Sequence, residues 1–255
     1  MDHPRGRLIL AAALVIAALS VTLAPAAEAP APGDLVSTWV FWPKAGENAA
    51  LEAGIKAHAA WRKSAGEGLH WDVYQPVVGK DLSTYVIRAE GLHWSDFDRE
   101  DAWEQSSGAL AKYMEQMGVH VDRVEHYIGQ LDMANSMWQE NPNYRYYAVS
   151  AMVARPGMHG DIVAGLAKVH KTLSDKKWSH SYGIEWQIGG GEAMFLVEPF
   201  VNYAGMAEPD PSFMKVMSEA LGAADAAATM KQLSGSFSSS DYTIYVHRPD
   251  LSTPK

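Results

Sequence analysis

Hydrophobic and polar positions along this chain switch repeatedly between two periods. In "LVSTWVFWP", from Leu35, β-branched and aromatic residues mark a strand. In "GENAALEAGIKAHAAWRKS", which follows, Leu51, Ile55 and His58 recur at helical spacing on one face. Two strands come next, "LHWDVYQPVVG" and "STYVIRAEG", then a helix, "REDAWEQSSGALAKYMEQMG", and a strand, "HVDRVEHYIGQL". Turn chemistry punctuates this βαββαβ order: Gly66 and Gly68 close the first helix, Gly79-Lys80-Asp81 separates the paired strands, and Gly118 follows the second helix.

The order then recurs in "YYAVSAMVARPG", "DIVAGLAKVHKTLSDKKW", "SYGIEWQIGGG", "EAMFLVEPFVN", "PSFMKVMSEALGAADAAATMKQLSG" and "DYTIYVHRP". Ser37 falls on Ser150, Pro43 on Pro156, His58 on His170, Gln75 on Gln187 and Arg88 on Glu198. Duplication of one unit accounts for this, with residues 30–128 as the first unit, 129–143 as a polar linker, 144–249 as the second unit and 250–255 as a tail. A βαββαβ unit makes a four-stranded antiparallel sheet with both helices on one face, and the other face is left bare. The predicted fold is α+β: two tandem ferredoxin-like units whose antiparallel sheets pack face to face as an intrachain α/β barrel. The alternative keeps the units as separate beads that use their bare faces between chains.

This element order and self-similarity resemble the dimeric α/β-barrel superfamily, which includes antibiotic-biosynthesis-monooxygenase-like, NIPSNAP-like, heme-degrading and chlorite-dismutase-like proteins. The resemblance implies a small-molecule site and brings in oxygen-using enzymes, cofactor-independent or heme-dependent. Its heme-binding branches seat heme between helices and sheet with a helical histidine on the iron, a place that His58 would match. The heme-degrading members take that histidine from the second helix of the unit, and neither second helix here contains one. Met114, Met117, Met214, Met217 and Met230 occur there instead and read as packing. No cofactor is therefore predicted, and heme is left open by resemblance alone.

Successive strand residues point to opposite sides of a sheet, which sorts the side chains. The uniformly small, apolar row Val149, Ala151 and Val153 suits packing under helices, and Val36, Thr38 and Val40, with Phe195 and Val197, are assigned to the same helix-facing side. The complementary rows then face the barrel: Ser37, Trp39, Gln75, Arg88, Ser150, Met152, Glu185, Gln187, Glu198, Tyr245 and His247. Apolar walls with a few placed polar groups are what a small-molecule site needs, and a wet interface between sheets has the same composition. Arg88 and Glu198, opposite in charge at matching positions, would pair near the axis. As an enzyme, the chain would use His247 or Glu198 to handle a proton and Arg88 to stabilise negative charge.

Other motifs carry less. His58 and His170 read as hydrogen-bonded histidines on a helix flank. "HWSDFDRED" offers His93, Asp96 and Asp98 but matches no metal-ligand spacing, so it reads as a loop in which Asp98 or Asp101 caps the next helix. "GGGE" at 189–192 lacks the ending of a phosphate loop and reads as a hairpin turn, and "SGSFSSS" reads as a flexible loop.

Composition narrows the setting. Arg5 and Arg7 precede an apolar run from Leu8 to Leu19, and Ala27-Glu28-Ala29 supplies a small-x-small cleavage pattern, so residues 1–29 read as a signal peptide. The run is too short to span a bilayer comfortably. The expectation is a periplasmic or secreted protein with no membrane association after cleavage, an uncleaved anchor being the alternative. With 30 acidic against 21 basic residues, a net charge of -9 argues against nucleic acid. No cysteine is present, which excludes disulfides and thiolate metal sites. Nine Trp, eleven Tyr and twelve Met supply pocket walls as well as core. Three readings follow: a binder of a small, partly aromatic molecule, a monooxygenase-like enzyme, or a self-associating scaffold, with homo-oligomers open to all three.

Overall fold

Eight strands and six helices appear among residues 33–254, the part described by the computed structural model. The expected signal peptide lies outside the described residues. The first half comprises β1 (Leu35–Pro43), α1 (Asn48–Ser64), β2 (Asp72–Val78), β3 (Tyr85–Leu92), α2 (Trp94–Ser107), α3 (Ala109–Gln116) and β4 (Val121–Leu131). The second comprises β5 (Tyr146–Ala154), α4 (His159–Asp175), β6 (Gly183–Ile188), β7 (Ala193–Phe200), α5 (Phe213–Leu221), α6 (Ala223–Gly235) and β8 (Phe237–His247). None of the described helices is long and apolar enough to cross a membrane.

All eight strands form one closed antiparallel barrel in the order β1-β3-β2-β8-β5-β7-β6-β4. The halves join edge to edge, β2 to β8 and β4 to β6. Closure removes every free strand edge. It also changes the expected face-to-face packing, because the inner faces surround a lumen while the helices cover the outside.

Several boundaries move from their expected places, each for a local reason. Each half's long second helix is two helices, broken at Gly108 (φ 78°) and Gly222 (φ 84°), left-handed backbone that glycine adopts without steric cost. α2 begins at Trp94 because the Asp96 carboxylate accepts from the His93 N–H (2.7 Å), so "HWSDFDRED" opens the helix and Asp98 and Asp101 lie within it. The serines of "SGSFSSS" after Phe237 belong to β8, where Ser240 pairs with Met152. The tail is a clasp: Thr253 N–H donates to Trp71 O (2.8 Å), Val73 N–H donates to Ser252 Oγ (2.9 Å), and Leu251 is buried.

The core lies outside the barrel, between strands and helices. Phe41, Leu51, Ile55, Val73, Tyr85 and Met117 pack under α1 and α3. Ile162, Leu173, Ile184, Met194, Met217 and Leu233 do so under α4, α5 and α6. Met117 and Met217 are fully buried, while Met114 and Met214 are exposed.

Candidate functional site

Strand register decides which side chains can meet, and it reverses part of the expected arrangement. Val40 and Trp42 of β1, Val149 and Ala151 of β5, and Phe195 and Val197 of β7 line the lumen. Their outward neighbours Phe41 and Met194 are buried under the helices. Large side chains occur on both faces, Trp42, Phe195 and four tyrosines in the lumen and Phe41 and Met194 under the helices, so residue size does not set the direction; the register and the helices on the outside do. Ser37, Trp39, Ser150, Met152 and Glu198 therefore belong to the outer rows, not the inner ones. Gln75 is also outside, accepting from Arg248 Nη1 (2.6 Å) beside Glu52 of α1. Arg88, Glu185, Gln187, Tyr245 and His247 are on the inner rows as expected, with Gln187 at the rim, where its Oε1 accepts from Ala193 N–H (3.3 Å).

The partner of Arg88 is Glu185, not Glu198. Arg88 Nη2 donates to Glu185 Oε2 (2.7 Å), its Nη1 to Thr38 Oγ1 (3.2 Å) and its Nε to Glu90 Oε1 (3.1 Å). Glu198, on the outer face, has its carboxyl pushed up by burial. The Arg88–Glu185 pair stands in a lumen of about 480 Å³ with Tyr74, Tyr127, Tyr147 and Tyr245. At the same end His247 Nε2 and Asp72 Oδ1 are 2.9 Å apart.

A second space of about 410 Å³ lies between the outer face of the first-half strands and α1, α2 and α3. Its wall is a run of rings. Trp39 stacks on His126 (centroids 4.0 Å) and lies 6.3 Å from Phe41, which is 6.3 Å from Tyr113; Tyr113 meets His58 edge-on at 6.2 Å. Ser37 Oγ and His126 Nε2 share a hydrogen bond of 3.0 Å, and His58 Nδ1 donates to Gln116 Oε1 (3.1 Å). The mouth is acidic: Glu100, Asp101 and Glu104 face Arg62 alone. Arg62 is already taken by Glu67 (2.6 and 2.7 Å) and by Glu100, with its guanidinium over Trp103 (4.8 Å).

In the second half, Met152, Met158, Met230, Phe213, Trp178 and Phe237 pack onto the buried cluster, with flexible thioethers among them. His170, the counterpart of His58, shares hydrogen bonds with Tyr182 Oη (3.2 Å) and Ser174 Oγ (3.3 Å). Sequence reasoning put weight on the inner rows and so missed His126 and Tyr113 as companions of His58. The signal available was the contrast between the methionine-rich second half and the tryptophan-rich first.

Burial holds the His58 imidazole below its ordinary pKa, outweighing the opposing hydrogen bond to Gln116, while the nearby Arg62 adds to the depression and Glu67 opposes it. The unfolded chain therefore takes up a proton that the native cavity refuses. The stability due to neutral His58 is complete above the ordinary histidine pKa of about 6.5 and is lost as pH falls through the folded value. Urea midpoints are expected to be flat above about pH 7 and to decline towards about pH 5. His58→Gln should make that decline shallower; an unchanged decline would assign it elsewhere.

For a heme the chemistry of this cavity is mixed. His58 offers a helical imidazole whose Nδ1–H is held by Gln116, as a ligand would need. The propionates, however, would meet three carboxylates and one guanidinium that is already paired. Among the described residues no three His, Asp or Glu side chains gather as a metal site, and Asp96 is engaged by Arg99 and the His93 N–H.

No family model and no curated protein matches the sequence. Solved structures share the fold. A candidate monooxygenase from Lactobacillus acidophilus NCFM is 8% identical with a TM-score of 0.54, over 88% of this chain and 96% of that one. An anthrone oxidase-like protein is 10% identical with a TM-score of 0.51, over 87% and 94%. A chlorite dismutase variant from Candidatus Nitrospira defluvii is 8% identical with a TM-score of 0.50, over 86% and 93%. The chain thus has the α+β barrel fold of these proteins, and at such identities the likeness reaches no further than the fold.

Proposed function

We propose that this is an exported protein, built by duplication of a ferredoxin-like unit, that binds a small, partly aromatic molecule without acidic groups. The site is the cavity between the first-half strands and α1, α2 and α3. The observation that carries this reading is the ring-lined space around His58, Tyr113, Phe41, Trp39 and His126, with an acidic mouth. Aromatic walls with two or three placed polar groups are the usual composition of small-molecule sites, and the mouth disfavours anions. N-phenyl-1-naphthylamine, a neutral aromatic fluorophore, is expected to bind with a rise in emission. Ala59→Trp, on the cavity wall, should abolish that rise. Retention of the rise in Ala59→Trp, or its loss in a lumen variant such as Tyr147→Leu, would reject this cavity.

The monooxygenase reading draws support from one feature, an imidazole on the cavity wall held by Ser37 and Trp39. His126, bonded to Ser37 and stacked on Trp39, can accept the proton of a bound phenol and leave an electron-rich phenolate for dioxygen. Oxygen uptake on naphthols that disappears in His126→Gln would favour it over simple binding. Glu198 and His247, the proton-handling candidates from the sequence, have no part in this reading, since Glu198 is on the barrel's outer face away from this cavity's lining and His247 is engaged with Asp72.

A further inference from the structure

We infer that the end of the barrel lumen around Arg88 and Glu185 is a second binding site, for a small organic cation of the alkylammonium class. The strands bring four tyrosines to this lumen, Tyr74 and Tyr147 meeting edge-to-face at 5.1 Å and Tyr127 stacking on Phe195 at 5.7 Å. Trp138, from the segment after β4, is 38% exposed, and the Glu90 side chain beside Arg88 is 51% exposed, so solvent reaches this end. Electron-rich rings gathered around one space attract a weakly hydrated cation.

Charge points the same way. Asp72, Glu90, Glu140 and Glu185 line this end, and its one guanidinium, Arg88, is consumed by Glu185, Glu90 and Thr38. Glu185 is 2% exposed, and its Oε1 has no hydrogen-bond partner. That oxygen occupies the lumen space over Gly129, where a β-carbon would collide with it. A buried carboxylate oxygen without a donor is costly, and a cation in the adjoining space offsets its field. Burial raises the phenol pKa values of Tyr74, Tyr127, Tyr147 and Tyr245, so these rings stay neutral. An anion would face four carboxylates. A divalent metal would find no three-ligand cluster among the described residues and would keep its water in preference to phenol faces.

The test compares choline with 3,3-dimethylbutan-1-ol, its neutral isostere, by calorimetry on the full chain. Choline is expected to bind at least about tenfold more tightly than the isostere, since cation–π and carboxylate attraction are lost with the charge. Tyr147→Leu should weaken choline by about 5- to 30-fold, while Tyr147→Phe, which keeps the ring, should bind as the parent does. Ala59→Trp should leave choline binding unchanged, which separates this site from the ring-lined cavity outside the barrel. Equal affinity for the isostere, no heat with choline, or indifference to Tyr147→Leu would overturn the assignment.

Discussion

Replacing Arg88 by methionine is expected to cost about 3–5 kcal/mol of folding stability, the range for removing one partner of a buried ion pair. The reason is what stays behind. Glu185 is 2% exposed and already has one oxygen without a partner, and its other oxygen depends on Arg88 Nη2 at 2.7 Å. Without the guanidinium the whole carboxylate is buried with no donor, and Thr38, itself fully buried, loses a contact as well. Arg88 is not wholly enclosed, its side chain being 17% exposed, and water entering at that end pulls the expected value towards the lower bound. The double variant Arg88→Met/Glu185→Leu should recover most of the loss, because an apolar pair of similar volume carries no desolvation penalty. Urea denaturation of parent, single and double variants measures both. A single variant within about 0.5 kcal/mol of the parent would mean that the pair is solvated and that the lumen is wetter than its burial implies.

How far the sequence revealed this arrangement depends on the level of structure. The βαββαβ periods and the turn glycines foretold the element order, because the strand and helix periods and the turn signals are local properties. The glycines at 108 and 222 sit in the middle of helical patterns and were read through, since only the backbone angle shows that each ends one helix and begins another. The inner and outer rows are separable from the sequence but fall on the opposite faces from those expected on β1, β2, β5 and β7. Alternation is legible in one strand, whereas direction depends on which face the helices cover once all eight strands close, which no single strand carries. Arg88 and Glu185 were both placed inward, yet the choice of Glu198 as partner followed the repeat, whereas pairing in space follows which strands become neighbours across β4 and β6. The ring-lined cavity was not foretold because it is formed where α1, α2 and α3 meet the outer strand rows, contacts that no single element carries, and self-similarity directs attention to what the halves share.

A valine at Gly54 is expected to cost about 2–4 kcal/mol and to remove aromatic binding outside the barrel, combining overpacking with helix strain. Gly54 is buried in the interior of α1, where glycine costs about 1 kcal/mol relative to alanine. Its place is explained by the neighbour: a β-carbon there would collide with the backbone carbonyl oxygen of Gln116, at the end of α3. Backbone cannot rotate aside, so α3 must move away from α1. The first contact to go is His58 Nδ1–H to Gln116 Oε1, and with it the position of Tyr113 against His58. Gly165 of α4 gives the useful contrast, because a β-carbon there would meet only the side chain of Leu233, which can change rotamer, so Gly165→Ala should be milder than Gly54→Ala. Gly160→Ala, in the first turn of α4 with open space around it, should be neutral or stabilise by about 0.4–1 kcal/mol through the unfolded chain. Urea midpoints rank the variants, and fluorophore titration under conditions where each is folded separates lost binding from lost stability. If Gly54→Val remains folded and binds N-phenyl-1-naphthylamine as the parent does, the α1–α3 contact does not shape the site, and the ring-lined cavity loses its claim to be the ligand's place.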